Sequence, residues 1–252
     1  DGRLLTVPEE SLANVQREPI VAELLEHGAV GAQEALARPI SFHLLRHGVY
    51  DKRRNRAEAE YIAEMVRKVL TVSPQHTIGI VAFSEAQQDA IEQALSRLAA
   101  DDKPFGEALE QAYEREDDGQ FVGLLVKNLE NIQGDERDII ILSVCYGRPP
   151  TGKMRMNFGP INKSGGEKRL NVAFSRAKQY MAVVSSIEST EITNDYNDGA
   201  NCLKSYLRYA EAVSAGDAEA AARVTRSLSR WTHDEQDQTT PAGELLAEQL
   251  AE

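Results

Sequence analysis

Short, almost uninterrupted apolar runs recur along the chain and alternate with longer amphipathic stretches. An apolar run of this length is typical of a strand that is buried on both faces of a parallel sheet. The pattern predicts strands at residues 41–45, 77–83, 121–126, 138–144 and 180–185. Because helical stretches separate them, the sequence predicts an α/β fold: a three-layer, mostly parallel sheet flanked by helices. In such folds we expect ligands at the carboxyl ends of the strands.

Apolar residues at helical spacing lie between these strands. The clearest case runs from residue 59 to residue 70, with Asn55 and Glu58 as a capping box in front of it and Ser73-Pro74 behind it. Residues 148–167 are rich in Gly, Pro, Asn and Lys, which predicts a long loop. Further helices are predicted at residues 84–98, 170–179 and 200–222, with a short one near residues 20–27.

Composition divides the chain into three parts. Residues 1–39 have weak periodicity and scattered Pro and Gly, which indicates a partly irregular lead-in. Residues 40–210 hold all the predicted strands and form the predicted domain. Residues 211–252 are an acidic helical and linker tail, polar from about Ser229, which we expect to lead to a following domain.

The composition fits one globular core without a membrane span. Hydrophobic residues make up 42% of the 252 residues, which is enough for a core of ordinary size. The longest strongly apolar run, around residues 139–144, is far shorter than the ~20 residues that cross a bilayer. Cys145 and Cys202 lack CxxC or HxxxH spacing, so neither a disulfide framework nor a metal site is expected. The sequence therefore predicts a soluble, cytoplasmic protein with no membrane partner.

Charge is distributed unevenly. The formal net charge of −12 argues by itself against a nucleic-acid partner. Residues 148–178 nevertheless contain the single acid Glu167 among eight basic residues, namely Arg148, Lys153, Arg155, Lys163, Lys168, Arg169, Arg176 and Lys178. A local basic stretch can bind a polyanion whatever the net charge, but the same pattern also fits a solvated loop.

Three segments combine polar residues in patterns that a core does not explain. They read GIVAFSEAQ at residues 79–87, VKNLENIQGDERDIIILS at residues 126–143 and RLNVAFSRAK at residues 169–178. The third predicts a helix with Arg169 and Arg176 on one face, since they are seven residues apart. In order and spacing the segments resemble motifs IV, V and VI of superfamily 1 helicases. The similarity is greatest to large bacterial proteins in which an endonuclease-like domain follows the helicase core.

This resemblance implies a RecA-like fold of the P-loop NTPase type and, within it, the second motor domain of an ATP-dependent helicase or translocase. Residues 1–39 would lead in from the first motor domain of the same polypeptide, an expected partner. ATP with Mg²⁺ would be bound mainly by that preceding domain. The other expected partner is single-stranded nucleic acid, DNA in preference to RNA. The isolated chain is expected to be inactive.

The resemblance also implies roles for single residues. Arg176 is similar to the family's arginine finger, because a permanently charged planar donor suits the charge that builds on phosphoryl oxygens. Glu136 matches the motif V acid that contacts the nucleotide sugar. Gln133 and Gly134 would form the tight turn that places it, since Gly permits close backbone approach. Arg169 fits either a nucleotide contact or a structural ion pair.

The remaining matches allow two interpretations. Gln87 aligns with the motif IV glutamine of the nucleotide site, although a solvent-facing Gln is common on a helix. Asn55 and Glu58 match an N-x-x-E-A element and are expected to cap their helix. Phe83 and Ser84 stand where many relatives have Pro-Tyr, so an aromatic contact expected there is lost or shifted.

The segment GRPPTGK, residues 147–153, imitates a phosphate-binding loop after a strand. Met154 follows where a Ser or Thr should bind Mg²⁺, and two consecutive prolines remove backbone N–H groups that should cradle phosphate. We therefore interpret the segment as a chance match to the Walker A pattern that does not bind phosphate. Two other functions stay open: an autonomous P-loop NTPase using Lys153, and a non-catalytic binding or scaffold module. The basic side chains of this region are candidates for nucleic-acid backbone contacts or for a solvated insertion: Lys153, Arg155 and Lys163.

Overall fold

The computed structural model describes residues 16–22 and 28–227. Its centre is a six-stranded sheet in the order β1-β2-β10-β9-β5-β8, and every neighbouring pair is parallel. In chain order the strands are β1 (Ile20–Val21), β2 (Ile40–Leu44), β3 (Tyr50–Asp51), β4 (Arg54–Asn55), β5 (Ile78–Ala82), β6 (Glu116–Asp117), β7 (Gln120–Phe121), β8 (Leu125–Asn128), β9 (Arg137–Ser143) and β10 (Ala177–Ser185). The pairs β3–β4 and β6–β7 are short antiparallel hairpins outside this sheet.

Helices cover both faces of the sheet. One face carries α1 (Gly28–Ala37), α2 (Arg56–Val72), α3 (Glu85–Asp101) and α4 (Lys103–Tyr113). The other carries α5 (Gly166–Phe174), α6 (Asp198–Ala215) and a further helical segment at residues 218–227. The predicted three-layer α/β fold with a parallel sheet is thereby confirmed. In the described part of the chain, no helix is long and apolar enough to cross a membrane.

Strand β9 shows why the apolar runs are continuous. Its side chains alternate between the two faces: Ile139 and Ile141 pack into the core beneath α2 and α3, whereas Ile140 and Leu142 pack into the core beneath α5 and α6. All four are fully buried. Each face of the strand therefore needs its own apolar residues, and the polar residues of β9 lie at its two ends.

The strand predicted at residues 121–126 is two separate elements. Phe121 belongs to the β6–β7 hairpin and is 56% exposed, while β8 begins only at Leu125. Gly123 lies between them, where a Cβ atom would come within 2.2 Å of the Tyr113 carbonyl oxygen. The chain turns against the end of α4 at this point, and only a glycine fits so close an approach.

The short helix predicted near residues 20–27 is wrong at its start. Ile20–Val21 form the edge strand β1, which pairs with β2, and the Ala22 N–H donates to the Leu44 carbonyl at 3.0 Å. Residues 23–27 lie outside the described residues, as does the tail from Ser229. Pairing with the edge of β2 outweighs local helical preference here. The division of the chain at residues 39/40 and 210/211 stays a prediction.

The helix predicted at residues 170–179 also needs correction. Helix α5 ends at Phe174, and β10 already begins at Ala177. Ser175 and Arg176 close the helix, because the Ser175 hydroxyl and the Arg176 Nε both donate to the Val172 carbonyl, at 3.0 and 2.9 Å. Arg176 therefore lies between helix and strand and does not share a helical face with Arg169.

Candidate nucleotide and nucleic-acid site

Glu136 and Arg176 meet at the amino edge of the sheet. Glu136 directly precedes β9, and Arg176 directly precedes β10. The two strands are parallel neighbours, and their register places Arg137 opposite Ala177. The Arg137 N–H donates to the Arg176 carbonyl at 3.2 Å. The side chains form an ion pair, with 3.7 Å between Arg176 Nη1 and Glu136 Oε1. The two residues that sequence similarity singled out most strongly are thus brought together.

The Arg176 guanidinium is held in one orientation. Its Nε donates to the Val172 carbonyl at 2.9 Å, and its Nη2 donates to the Ser175 hydroxyl at 2.9 Å. The side chain is 19% exposed, whereas that of Glu136 is 52% exposed. An ion pair this long and this open to water contributes at most about 1 kcal/mol. A stronger anion can therefore replace Glu136 at the guanidinium without a large loss of stability.

Gln133 and Gly134 form an exposed turn in front of Glu136. Gly134 has a φ of +88°, a left-handed conformation that glycine adopts without a steric penalty, and no other atom would crowd a Cβ there. The Asp135 side chain forms an ion pair with Lys127 of β8. The turn therefore leaves Gln133 and the Glu136 carboxylate open at the amino edge.

Arg169 lies apart from this pair. It belongs to the first half of α5, is half-buried, and donates from Nη1 to the Ser164 carbonyl at 3.3 Å. Arg176 lies beyond the opposite end of the same helix. The structure therefore does not group the two arginines around one anion.

Gln87 is enclosed at the carboxyl edge. Its Oε1 accepts from the Asn55 N–H at 2.6 Å, while its Nε2 donates to the Asn55 carbonyl at 3.1 Å and to the Ser143 hydroxyl at 2.9 Å. The side chain is fully buried. Its amide ties the start of α2 to α3 and β9, and in this arrangement it offers no atom to a ligand in solvent.

Glu58 lies at the centre of the same buried network. Its Oε2 accepts from the Ser143 hydroxyl and the Cys145 N–H, both at 2.8 Å, and its Oε1 accepts from the Ser186 hydroxyl at 2.9 Å and from Asn55 Nδ2 at 3.2 Å. Burial raises the pKa of this carboxyl to about 7, although the hydrogen bonds from its neighbours oppose the shift. The network joins the carboxyl ends of β9 and β10 to α2.

The predicted capping box is only half formed. Asn55 is the N-cap of α2, and its Oδ1 accepts from the Glu58 N–H at 3.3 Å. The Glu58 carboxylate does not return to the Asn55 N–H, which Gln87 takes instead. Ser143 and Ser186 complete the cluster and were missed from the sequence. The available signal was a polar residue at or just beyond the end of each apolar strand.

The chain leaves β9 through a strained turn. Cys145 has a φ of +58°, and the Tyr146 N–H donates to the Val144 carbonyl at 2.8 Å, which closes a three-residue γ-turn. A non-glycine residue in this conformation costs about 1–3 kcal/mol and persists only where its surroundings enforce it. The hydrogen bond from the Cys145 N–H to Glu58 supplies part of that enforcement. Burial raises the pKa of the Cys145 thiol well above its ordinary value, so the thiol stays neutral.

The loop after this turn does not form a phosphate cradle. Residues 147–158 contain turns and irregular backbone, and the first helical element after them is a short 3-10 turn at Gly159–Asn162. A Walker A loop needs a helix N-terminus directly behind it. Lys153, Arg155 and Lys163 are exposed, and their side chains make no hydrogen bond or ion pair with any residue that the structure describes. The loop therefore presents uncompensated positive charge to solvent.

Comparison with known proteins agrees with this fold. Residues 39–188 match the model of a family described as AAA domain. The chain is 36% identical over 185 residues to an uncharacterized ATP-dependent helicase of Mycoplasma genitalium, MG140, and equally to its homolog in Mycoplasma pneumoniae. These matches cover 70% of this chain and 15% of each relative, so the chain corresponds to a small part of those proteins. The resemblance to a superfamily 1 helicase motor is confirmed. Because the family match covers more than half of the chain, this chain belongs to the AAA domain family.

Proposed function

We propose that this chain is the second motor domain of an ATP-dependent superfamily 1 helicase and supplies Arg176 to the phosphates of ATP. The observation that carries the proposal is the oriented guanidinium of Arg176 at the amino edge, opposite the half-exposed Glu136. Two hydrogen bonds fix the planar group, and its remaining donors face a weak partner. Such a group can stabilise charge on phosphoryl oxygens without reorganising.

Glu136 is proposed to accept hydrogen bonds from the nucleotide sugar. Its carboxylate is half exposed, and among the described residues its side-chain partner is Arg176 at 3.7 Å. It can therefore bind ribose hydroxyls once a phosphate takes its place at the guanidinium. The exposed turn at Gln133 and Gly134 would position the Glu136 carboxylate against the nucleotide. Arg169 stays a proposed nucleotide contact that is separate from Arg176; among the described residues its guanidinium donates to the Ser164 carbonyl. Gln87 is used entirely within the domain, so we assign it the positioning of the carboxyl edge.

ATP and its Mg²⁺ would be held mainly by the preceding motor domain. Over residues 16–22 and 28–227, no group of His, Cys, Asp and Glu side chains is arranged to hold a metal ion, and the loop at residues 147–153 lacks the helix that phosphate binding requires. Arg176 and Glu136 would therefore contact ATP that is bound mainly by the other motor domain. Binding of ATP would close the two domains on each other, and its hydrolysis and release would let them open again.

Lys153, Arg155 and Lys163 are proposed to contact the backbone of single-stranded nucleic acid, with DNA as the first candidate. Their lack of described partners supports this, because a phosphate can neutralise them without displacing an existing ion pair. These three cations concentrate positive charge in one loop, although the whole chain carries a net charge of −12.

The test is ATP turnover by the full-length protein with Arg176→Ala. We expect a loss of roughly 10³-fold or more, because an arginine finger contributes to the transition state and little to the fold. Arg223→Ala is the matched control, since among the described residues this exposed arginine pairs with Glu219, four residues earlier. Unchanged turnover in Arg176→Ala would overturn the assignment. Turnover by the isolated wild-type chain would instead favour the autonomous NTPase.

A further inference from the structure

Tyr196 is the most exposed of the large hydrophobic side chains in the described part of the chain. It is 86% exposed, and its ring and hydroxyl contact no described residue through a hydrogen bond or ring contact. A single exposed aromatic residue is common on protein surfaces and indicates nothing by itself. Its position relative to the cationic loop is what makes it informative.

The segment that carries Tyr196 is fastened to the loop that carries the unpartnered cations. Asn197 Nδ2 donates to the Asn162 carbonyl at 3.0 Å, directly beside Lys163. Asn194 Nδ2 donates to the Met156 carbonyl at 3.4 Å, directly beside Arg155. Because these contacts flank it on both sides, the backbone at Tyr196 lies beside the loop that carries the cations, and the ring is exposed there.

Packing at Ile161 makes this surface rigid. Ile161 is fully buried, and its carbonyl oxygen is approached by two glycines at the starts of two helices, Gly166 of α5 and Gly199 of α6. A Cβ atom on either glycine would lie within 1.9 or 1.8 Å of that oxygen. The loop and the Tyr196 segment are therefore locked to the same pair of helices. A preformed surface of this kind loses little conformational entropy when a ligand binds.

The charges around the ring determine which part of a ligand it suits. Asp195 and Asp198 flank Tyr196 and are exposed, so a phosphate is disfavoured directly on the ring. Phosphates are favoured instead over Lys163 and Arg155. A nucleobase is uncharged and offers a flat apolar face, which suits an exposed aromatic ring.

We propose that Tyr196 stacks on a base of single-stranded nucleic acid whose phosphates follow the cations of the adjacent loop. The proposal deepens, and rests on, the nucleic-acid surface proposed above. The strand must be single, because bases in a duplex are stacked on one another and do not expose their faces to a side chain. The aromatic ring supplies stacking energy without sequence preference, while Lys163 and Arg155 supply the salt-dependent part of the affinity.

The test is binding of the chain to fluorescein-labelled (dT)15, followed by anisotropy at several salt concentrations. Tyr196→Ala should weaken binding roughly tenfold, because stacking contributes on that order per base, and should leave the salt dependence unchanged. Tyr196→Phe should bind as the wild type does, since the ring face is kept. Lys163→Ala should lower the slope of log affinity against log salt by about 0.7. Phe121→Ala, which removes an exposed ring from a distant hairpin, should have no effect.

The outcomes separate the two proposals. If the wild-type chain does not bind (dT)15, the nucleic-acid surface is wrong and the stacking role falls with it. If it binds and Tyr196→Ala binds equally well, only the stacking role is wrong. A duplex of the same length serves as the remaining control: a loss of duplex affinity as large as the loss for (dT)15 would contradict base stacking. Crosslinking of 5-iodouracil-substituted (dT)15 should mark the peptide that contains Tyr196.

Discussion

At the carboxyl edge of the sheet, Glu58 and Gln87 are fully buried and their polar atoms are bonded to neighbouring strands and helices. At the amino edge, Glu136 is half exposed and contacts Arg176 across 3.7 Å. Both edges carry acids and amides next to strand ends. Glu58 and Gln87 are enclosed at the carboxyl edge, whereas the Glu136 carboxylate at the amino edge is open to a ligand. Chemical type alone therefore does not identify a binding residue; its remaining hydrogen-bonding capacity does.

The contrast also bears on an expectation about this fold class. Ligands of parallel sheets are expected beyond the carboxyl ends of the strands, and the loops proposed to contact nucleic acid follow the carboxyl ends of β9 and β10. The residues proposed for the nucleotide lie elsewhere. Arg176 and Glu136 precede their strands and lie at the opposite edge. A domain that contributes to a site built mainly by another domain can present whichever edge faces the partner. This is consistent with the proposed role as a second motor domain.

Removing Glu58 should give the largest change in stability. Glu58→Ala deprives three hydroxyl or N–H donors and the Asn55 amide of their acceptor within the core. We expect the free energy of unfolding to fall by about 2–4 kcal/mol, measured by urea denaturation of the chain. Glu60→Ala is the matched control on the same helix, because Glu60 makes only an exposed ion pair with Arg97, and it should change stability by less than about 0.5 kcal/mol. Equal effects of the two variants would contradict the distinction between the edges.

The pH dependence of stability should be the next largest effect. The pKa of Glu58 is about 7 in the folded chain, against an ordinary value of 4.5, so the folded state holds the proton more tightly. Stability from this group is complete below about pH 4.5 and is lost as the pH rises through 7, by roughly 1–3 kcal/mol in total. Glu58→Gln mimics the protonated acid and should remove this loss.

The comparison between wild type and Glu58→Gln is needed because His43 acts in the opposite direction. Burial, with the nearby Arg38 charge, lowers the pKa of His43 to about 3 from 6.5, so its contribution is lost as the pH falls below 6.5 and toward 3. Urea denaturation between pH 5 and pH 8 measures the free energy of unfolding of the wild type and of Glu58→Gln. A difference between them that stays constant over this range would contradict the assignment to Glu58.

Removing Glu136 should give the smallest change in stability. Glu136→Ala breaks only a long, half-exposed ion pair, and we expect the free energy of unfolding to change by less than about 0.5 kcal/mol. In the full-length protein the same variant should raise the KM for ATP several-fold, because the proposed ribose contact is lost. A large loss of stability with an unchanged KM would make Glu136 a structural residue, as Glu58 is.

Much of the fold could be predicted from the sequence because burial leaves a pattern. Apolar runs such as residues 138–144 match β9 within one residue, since both faces of that strand are covered. The local sequence pattern predicted the wrong element where a single tertiary contact determined the backbone conformation. Gly123 turns the chain against α4 and shortens the predicted strand, and pairing with β2 makes Ile20–Val21 a strand. Neither contact is visible in the local sequence.

For the candidate site, the residue types and their order were readable from the sequence, but their environments were not. The segments around Gln87, Glu136 and Arg176 pointed to helicase motifs, and the family match bears out that resemblance. Only the packed structure decides that Gln87 is enclosed while Glu136 is open. The reason is physical: the accessibility of a polar side chain depends on residues distant in sequence, here Asn55 and Ser143 for Gln87, which the parallel strand order brings to one edge of the sheet.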